Sequence, residues 1–120
     1  MSKERIEDVN FFVTDMRMIG EIFVNCLGFE GEISDRKTSR FTTTFGTEIE
    51  TYGPKDIYSR GATYLRLIVN DEKITKVKEY LEAKGQKSVV YREHSEGPHK
   101  RTLLWMMEEN GSQLNLNSEV

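Results

Sequence analysis

Two stretches of alternating polar and apolar residues divide the chain into similar halves. The first is Asp8-Val-Asn-Phe-Phe-Val-Thr-Asp15 and the second is Tyr64-Leu-Arg-Leu-Ile-Val-Asn-Asp71. Laid one on the other, they keep polar and apolar positions in step at a constant offset of 64 − 8 = 56 residues. A period of two marks a half-buried strand, because successive side chains point to opposite faces. Ile6 to Val13 therefore reads as a strand with Val9, Phe11 and Val13 on one face and Asp8, Asn10 and Phe12 on the other. Ala62 to Val69 reads the same way, with Leu65, Leu67 and Val69 opposed to Tyr64, Arg66 and Ile68. After each strand the period becomes helical. Asp15 is an N-cap, and Met16, Ile19, Ile22, Phe23 and Cys26 follow on one stripe until Gly28 closes the helix. In the second half Asn70 or Asp71 caps a helix with Ile74, Val77, Tyr80 and Leu81 on its apolar stripe, ended by Gly85.

Each helix is followed by strand signals. In the first half these are a short strand at Phe29 to Ile33, a polar turn at Asp35 to Ser39, a Thr- and Phe-rich strand at Arg40 to Phe45, and a return at Glu48 to Tyr52. In the second half they are Ser88 to Arg92, a loop at Glu93 to Lys100 holding His94 and His99, and a hairpin of Arg101–Met107 with Gln113–Asn117. The hairpin turns at Glu109-Asn110-Gly111, and Asn-Gly is a strong hairpin signal. The order strand, helix, three strands thus occurs twice, and a unit of about 60 residues buries too little surface to be secure alone. The expectation is one α+β domain over residues 1–120, with module one at about 1–53, a linker at 54–61 and module two at 62–120.

Composition narrows the function classes. Of 120 residues 31% are charged, with both signs interspersed and a net charge of −3, which is unlike the clustered basic footprint of a nucleic-acid binder. No apolar run reaches membrane-spanning length, and the opening Met-Ser-Lys-Glu is unlike a signal peptide. Cys26 is the only cysteine, so no intrachain disulfide forms, and a cytoplasmic location is expected. The charges of the second helix read as a solvated face with Lys and Glu pairs at helical spacing.

The ordered pattern resembles the vicinal oxygen chelate superfamily, which includes glyoxalase I, bleomycin-resistance proteins and extradiol dioxygenases. The resemblance is carried by Asp8 to Asp15, by Asn25-Cys-Leu-Gly-Phe29, by the second opening strand with its Asp71, and by Trp105 to Leu116, which looks like the family's closing hairpin. It implies two βαβββ modules whose mixed sheets curl around a cleft, with helices outside. Enzymes of this family usually hold a divalent metal with His on each opening strand and Glu on a late strand of each module. The corresponding positions here are Asp8, Tyr64, Glu50 and Asn115, with Glu48 as the other choice for Glu50. Zn²⁺, Fe²⁺ or Ni²⁺ would lack imidazole ligands at these positions, although Asp8 and Glu50 could offer oxygens to Mg²⁺ or Ca²⁺.

The cleft-facing set implied by the resemblance is Asp8, Asn10, Phe12, Glu50, Tyr64, Arg66, Trp105 and Asn115. Such a mixture suits a polar organic ligand, with Arg66 able to clamp a carboxylate or phosphate bidentately. The competing reading pairs Arg66 internally with Asp8 or Glu50, and packs Trp105 and Met106 in the core or a dimer interface. The expected function is a glyoxalase- or bleomycin-resistance-like binding protein, a homodimer without metal or cofactor. The alternatives are a lyase, isomerase or dioxygenase with an altered site, in which Glu50 or Asp8 supplies acid–base chemistry, and a non-catalytic structural module.

Overall fold

Residue 6, residues 8–54, residue 56, residues 61–107 and residues 109–120 are described by the structure, a computed structural model. Residue 7 of the expected opening strand and most of the expected linker at 54–61 lie outside the described residues. The chain divides into two compact units, Met1–Ser59 and Arg60–Val120.

The first unit opens with β1 (Asp8–Phe12), whose alternation buries Phe11 fully while Asn10 stays exposed. Asp15 caps α1 (Met16–Glu21), its carboxylate accepting a 2.9 Å bond from the Met18 amide. The helix then widens into a π turn, Ile22–Cys26, in which the Leu27 amide donates to the Ile22 carbonyl at 3.0 Å. This turn and the Leu27 cap that follows it, where the sequence predicts plain α-helix, carry two adjacent apolar pairs, Ile22–Phe23 and Cys26–Leu27, and all four residues are buried. Gly28 ends the segment with φ of 73°, a left-handed cap as expected.

The expected strand at Phe29 to Ile33 is reduced to one bridge, Glu30 with Thr42. β2 (Thr38–Thr42) begins inside the expected polar turn and stops before Phe45. The chain reverses instead at 43–47, where the Thr43 hydroxyl accepts from the Thr47 amide at 2.9 Å and commits a strand-forming residue to a turn. β3 (Glu48–Tyr52) lies where expected and is central: parallel to β1 and antiparallel to β2. Its inner residues Ile49 and Thr51 are fully buried, and Phe23 touches Phe29 and Phe41 at centroid distances of 5.5 and 5.2 Å. A Cβ at Gly31 would sit 2.3 Å from the buried Phe41 ring. Gly31→Ala is therefore expected to cost about 1–2 kcal/mol by overpacking, read as a lower midpoint in urea with unchanged slope.

The second unit realises the βαβββ order in full. β4 (Tyr64–Ile68) alternates exposed Tyr64, Arg66 and Ile68 with buried Leu65 and Leu67. α2 (Asp71–Ala83) buries Ile74, Val77 and Leu81, and Lys78 pairs with Glu82 at 2.6 Å on its wet side. Asn70 makes no side-chain cap, and the Asp71 carboxylate turns to Arg101 instead. β5 (Val89–Glu93), β6 (His99–Met106) and β7 (Gln113–Glu119) complete a sheet of order β4-β7-β6-β5, with β4 parallel to β7 and the other pairs antiparallel. β6 starts at His99, inside the expected loop. The hairpin turn is as expected, with the Asn110 side chain accepting from the Ser112 amide at 2.9 Å. Among the described residues no helix is long and apolar enough to cross a membrane.

Candidate functional site

Alternation decides what each sheet offers on the face away from its helix. In the second unit that face carries Tyr64, Arg66 and Ile68 from β4, Asn115 and Asn117 from β7, Thr102, Leu104 and Met106 from β6, and Val90 and Arg92 from β5. Register places Arg66 beside Asn115 and Tyr64 beside Gln113. Asn115 and Asn117 are only 6% and 1% exposed, so their amides must be satisfied internally. They are: the Asn115 Nδ2 donates to the Tyr64 Oη at 2.8 Å, and the Asn117 Nδ2 donates to the Asn115 Oδ1 at 2.5 Å. Asn117 in turn accepts from the Thr102 hydroxyl at 2.7 Å, and Thr102 meets the His94 Nε2 at 2.8 Å. Tyr64 is 55% exposed at one end of this row, His94 is exposed at the other, and the Asn117–Asn115 bond between them is buried. Arg66 is exposed beside it, and no hydrogen bond or ion pair with a described residue engages its guanidinium.

The corresponding face of the first unit carries Asp8, Asn10 and Phe12 from β1, Glu48, Glu50 and Tyr52 from β3, and Arg40 from β2. Arg40 sits among three carboxylates: it pairs with Glu48 most closely, with Asp8 at 3.3 Å and with Glu50 at 3.4 Å. Glu48 above all, then Glu50 and Asp8, hold its guanidinium more firmly protonated than usual. Phe12 packs edge-on against Tyr52 at 5.6 Å. Burial first, and then the Glu50 carboxylate that takes its hydrogen bond, raise the Tyr52 phenol above its usual 10.0.

The arginine that engages Asp8 and Glu50 is Arg40, from the same sheet. Asp8, Asn10, Phe12 and Glu50 share one face of the first unit's sheet, and Tyr64, Arg66 and Asn115 share one face of the second's. Trp105 does not join them. It lies on the helix side of β6, 4% exposed, with its indole N–H donating to the Gln86 Oε1 at 3.3 Å. Packing against α2 needs a large apolar side chain there, so its place among the face-lining residues is corrected to the core. Met106, the next residue, is on the open face and 42% exposed. Of the histidines, His94 joins the hydrogen-bonded row, while the His99 Nδ1 is buried with no partner among the described residues. Arg40, Tyr52, Thr102, Asn117 and His94 are additions that the sequence reading missed. The even-numbered alternation of β2 and β3 was the available signal for the first two.

The residues present fit a divalent metal poorly. Asp8 and Glu50 are engaged by Arg40, the Asn115 amide is used at both ends, and the Tyr64 oxygen already accepts from Asn115. Among the described residues no three His, Cys, Asp or Glu side chains converge as a metal-holding group. Removing Arg40 changes this balance, because it leaves Asp8, Glu48 and Glu50 as three carboxylates on adjacent strands with no cation between them and able to turn onto a hard cation. Arg40→Ala is expected to gain a rise in melting temperature on adding millimolar Ca²⁺ that the parent chain lacks, checked by differential scanning fluorimetry with and without chelator.

Neither a protein-family model nor a curated protein matches the sequence. Solved structures do. The fosfomycin resistance protein FosX from Listeria monocytogenes, complexed with Mn(II) and sulfate, matches with TM-score 0.65 at 14% identity, over 99% of this chain and 93% of that one. A mutant of the same protein, complexed with Mn(II) and 1S,2S-dihydroxypropylphosphonic acid, matches with TM-score 0.65 at 14% identity over 99% and 93% of the two chains. Lactoylglutathione lyase from Agrobacterium tumefaciens matches with TM-score 0.62 at 11% identity over 98% and 95%. Both units open with a strand and a helix and continue into mixed sheet, and the chain matches these proteins over 99% and 98% of its length, which gives it the vicinal oxygen chelate fold.

Proposed function

We propose that this protein is a metal-independent small-molecule-binding protein of the glyoxalase and bleomycin-resistance kind, and that its ligand presents an anionic group to Arg66 and Tyr64. The observation that carries the reading is the exposed Arg66 guanidinium, which has no described partner and stands beside a tyrosine whose oxygen is held in place by the buried Asn115. A carboxylate, phosphate or phosphonate would meet a planar fork of N–H donors and a hydroxyl on a rigid strand, which favours bidentate recognition. Relatives of the same fold carry sulfate and a phosphonic acid, and those two anions suggest the first probes. The engaged state of Asp8, Glu50 and Asn115 supports a site that works without a metal.

The same face exposes Ile68, Val90 and Met106 at 52%, 46% and 42%. A second copy of the chain covering this apolar surface would also exclude water from the ligand, so the reading includes a homodimer. A cytoplasmic setting accords with a lone, buried Cys26. The test is a thermal-shift screen of small carboxylates and phosphonates in excess chelator, with oligomeric state followed by light scattering. Saturable stabilisation by an anionic ligand under chelation supports the reading. Stabilisation only after adding a stoichiometric divalent metal overturns it in favour of a metal-dependent enzyme.

A further inference from the structure

Four hydrogen bonds join His94 to Tyr64 through Thr102, Asn117 and Asn115, at 2.8, 2.7, 2.5 and 2.8 Å in that order. Each intermediate group has one way to donate along the row and one way to accept. Thr102 owns a single hydroxyl proton and gives it to the Asn117 Oδ1, so the His94 Nε2 must supply the proton to the Thr102 oxygen. Each amide then donates to the next group, and the Tyr64 oxygen receives the last bond. The Tyr64 proton is left over, and no other described group accepts it.

The row has one other self-consistent state. With a bare Nε2, His94 accepts from Thr102, both amides turn over, and Tyr64 donates its proton inward to Asn115. Tyr64 then shows a ligand only lone pairs. A reversal within the Asn117–Asn115 stretch leaves a buried amide end unpaired or sets two donors head to head, which costs the desolvation of a buried polar group. A hydrogen on the His94 Nε2 permits only the first state. The hollow of about 420 Å³ beside it is lined by Asp71 and Thr75 from α2, Glu93 from β5, and Lys100 and Arg101 from β6, so both charge signs face the ring.

We propose that His94 is a positioning residue that sets the sense of this hydrogen-bonded row and thereby makes Tyr64 a proton donor to an acceptor group on the ligand. The inference rests on the proposed anion site for its functional meaning, but the row itself is testable without any ligand. Proton sense is transmitted along the row as a change in amide orientation, because hydrogen bonds in a chain polarise one another. His94 thus selects between an anion or carbonyl oxygen and a donor group at Tyr64, from the far end of four hydrogen bonds.

The test replaces His94 by an acceptor of similar reach. His94→Glu offers only lone pairs at neutral pH, so it should reverse the row. In isotope-labelled full-length protein, the Tyr64 ring Cζ and the Asn115 side-chain amide resonances are expected to shift in His94→Glu. Adding Thr102→Val cuts the row, so the double variant should match Thr102→Val alone. Unchanged Tyr64 and Asn115 resonances in His94→Glu, or a shift that survives Thr102→Val, would overturn the proposal.

Affinity for propylphosphonate gives the second readout. His94→Glu should weaken it roughly tenfold where Tyr64 is intact, and by less than about twofold in a Tyr64→Phe background. Equal losses in both backgrounds would point to the added charge alone and also overturn the proposal. If the parent chain does not bind propylphosphonate, the anion-site reading fails, while the resonances still decide the row.

Discussion

Arg66→Ala is expected to weaken binding of an anionic ligand such as propylphosphonate by about tenfold to a hundredfold, measured by calorimetry in chelator. A charge-assisted bidentate contact contributes about 1.5–3 kcal/mol, which sets that range. Arg66→Lys should recover part of the loss, since it keeps the charge and gives up the planar fork. Thermal stability should be almost unchanged in both variants, because the parent guanidinium is exposed and makes no described contact that folding depends on. A large loss of stability with no loss of affinity would place Arg66 among structural residues. The contrast with Arg40 sharpens the point: in the first unit, that guanidinium is committed to Asp8, Glu48 and Glu50.

The largest stability effect is expected at Arg101→Met. The Arg101 side chain is 13% exposed and ties the start of α2 to the sheet. Its Nε donates to the Asp71 Oδ1 at 2.6 Å, its Nη1 to the Tyr91 Oη at 3.1 Å, and its Nη2 to the Thr75 Oγ1 at 2.8 Å and to the Asp71 carbonyl. Methionine keeps the stem and loses every donor. The expected cost is about 2–3 kcal/mol, or a melting temperature lower by about 10 °C.

Acid should narrow this gap. The Arg101 hydrogen bond first, helped by that of Ser118, holds the Asp71 carboxyl below its usual 3.8. Asp71 therefore contributes its full stabilisation above pH 3.8, where it is ionised folded and unfolded alike, and loses it as pH falls through the lower folded value. The parent chain should lose stability in that acid window faster than Arg101→Met, whose Asp71 has lost its main partner. Parallel stability curves through the same window would show that Asp71 and Arg101 are not coupled as described.

What could be read from the sequence was whatever depends on local periodicity. The faces of β1 and β4, the N-cap at Asp15, the Ile74, Val77 and Leu81 stripe of α2 and the Asn110-Gly111 turn all follow from spacing within one element and are present, while Tyr80 of the expected stripe is only half-buried. Boundaries were lost where a side chain took up turn geometry, as Thr43 does. The π turn was lost because the apolar positions Ile22, Phe23 and Cys26 satisfy a helical pattern whether or not the turn widens.

The candidate site was half legible for a related reason. Tyr64, Arg66 and Asn115 lie at alternating positions, so their shared face could be inferred once two strands were assumed to pair. The partners of Asp8 and Asn115 could not, because they depend on register between strands. Arg40 reaches Glu50 only because β2 stands opposite β3 with those residues paired. His94 reaches Asn117 only through Thr102, across the β5–β6 hairpin and then the β6–β7 ladder. Trp105 shows the converse error: one step along a strand moves a side chain to the other face.

The most direct measurement is an amide and side-chain nuclear magnetic resonance titration of the parent chain with propylphosphonate in excess chelator. Saturable shifts at Tyr64, Arg66 and the Asn115 side chain are predicted, absent from Arg66→Ala. Shifts confined to Asp71 and Arg101, or arising only once a divalent metal is added, would contradict a metal-independent anion site on this sheet.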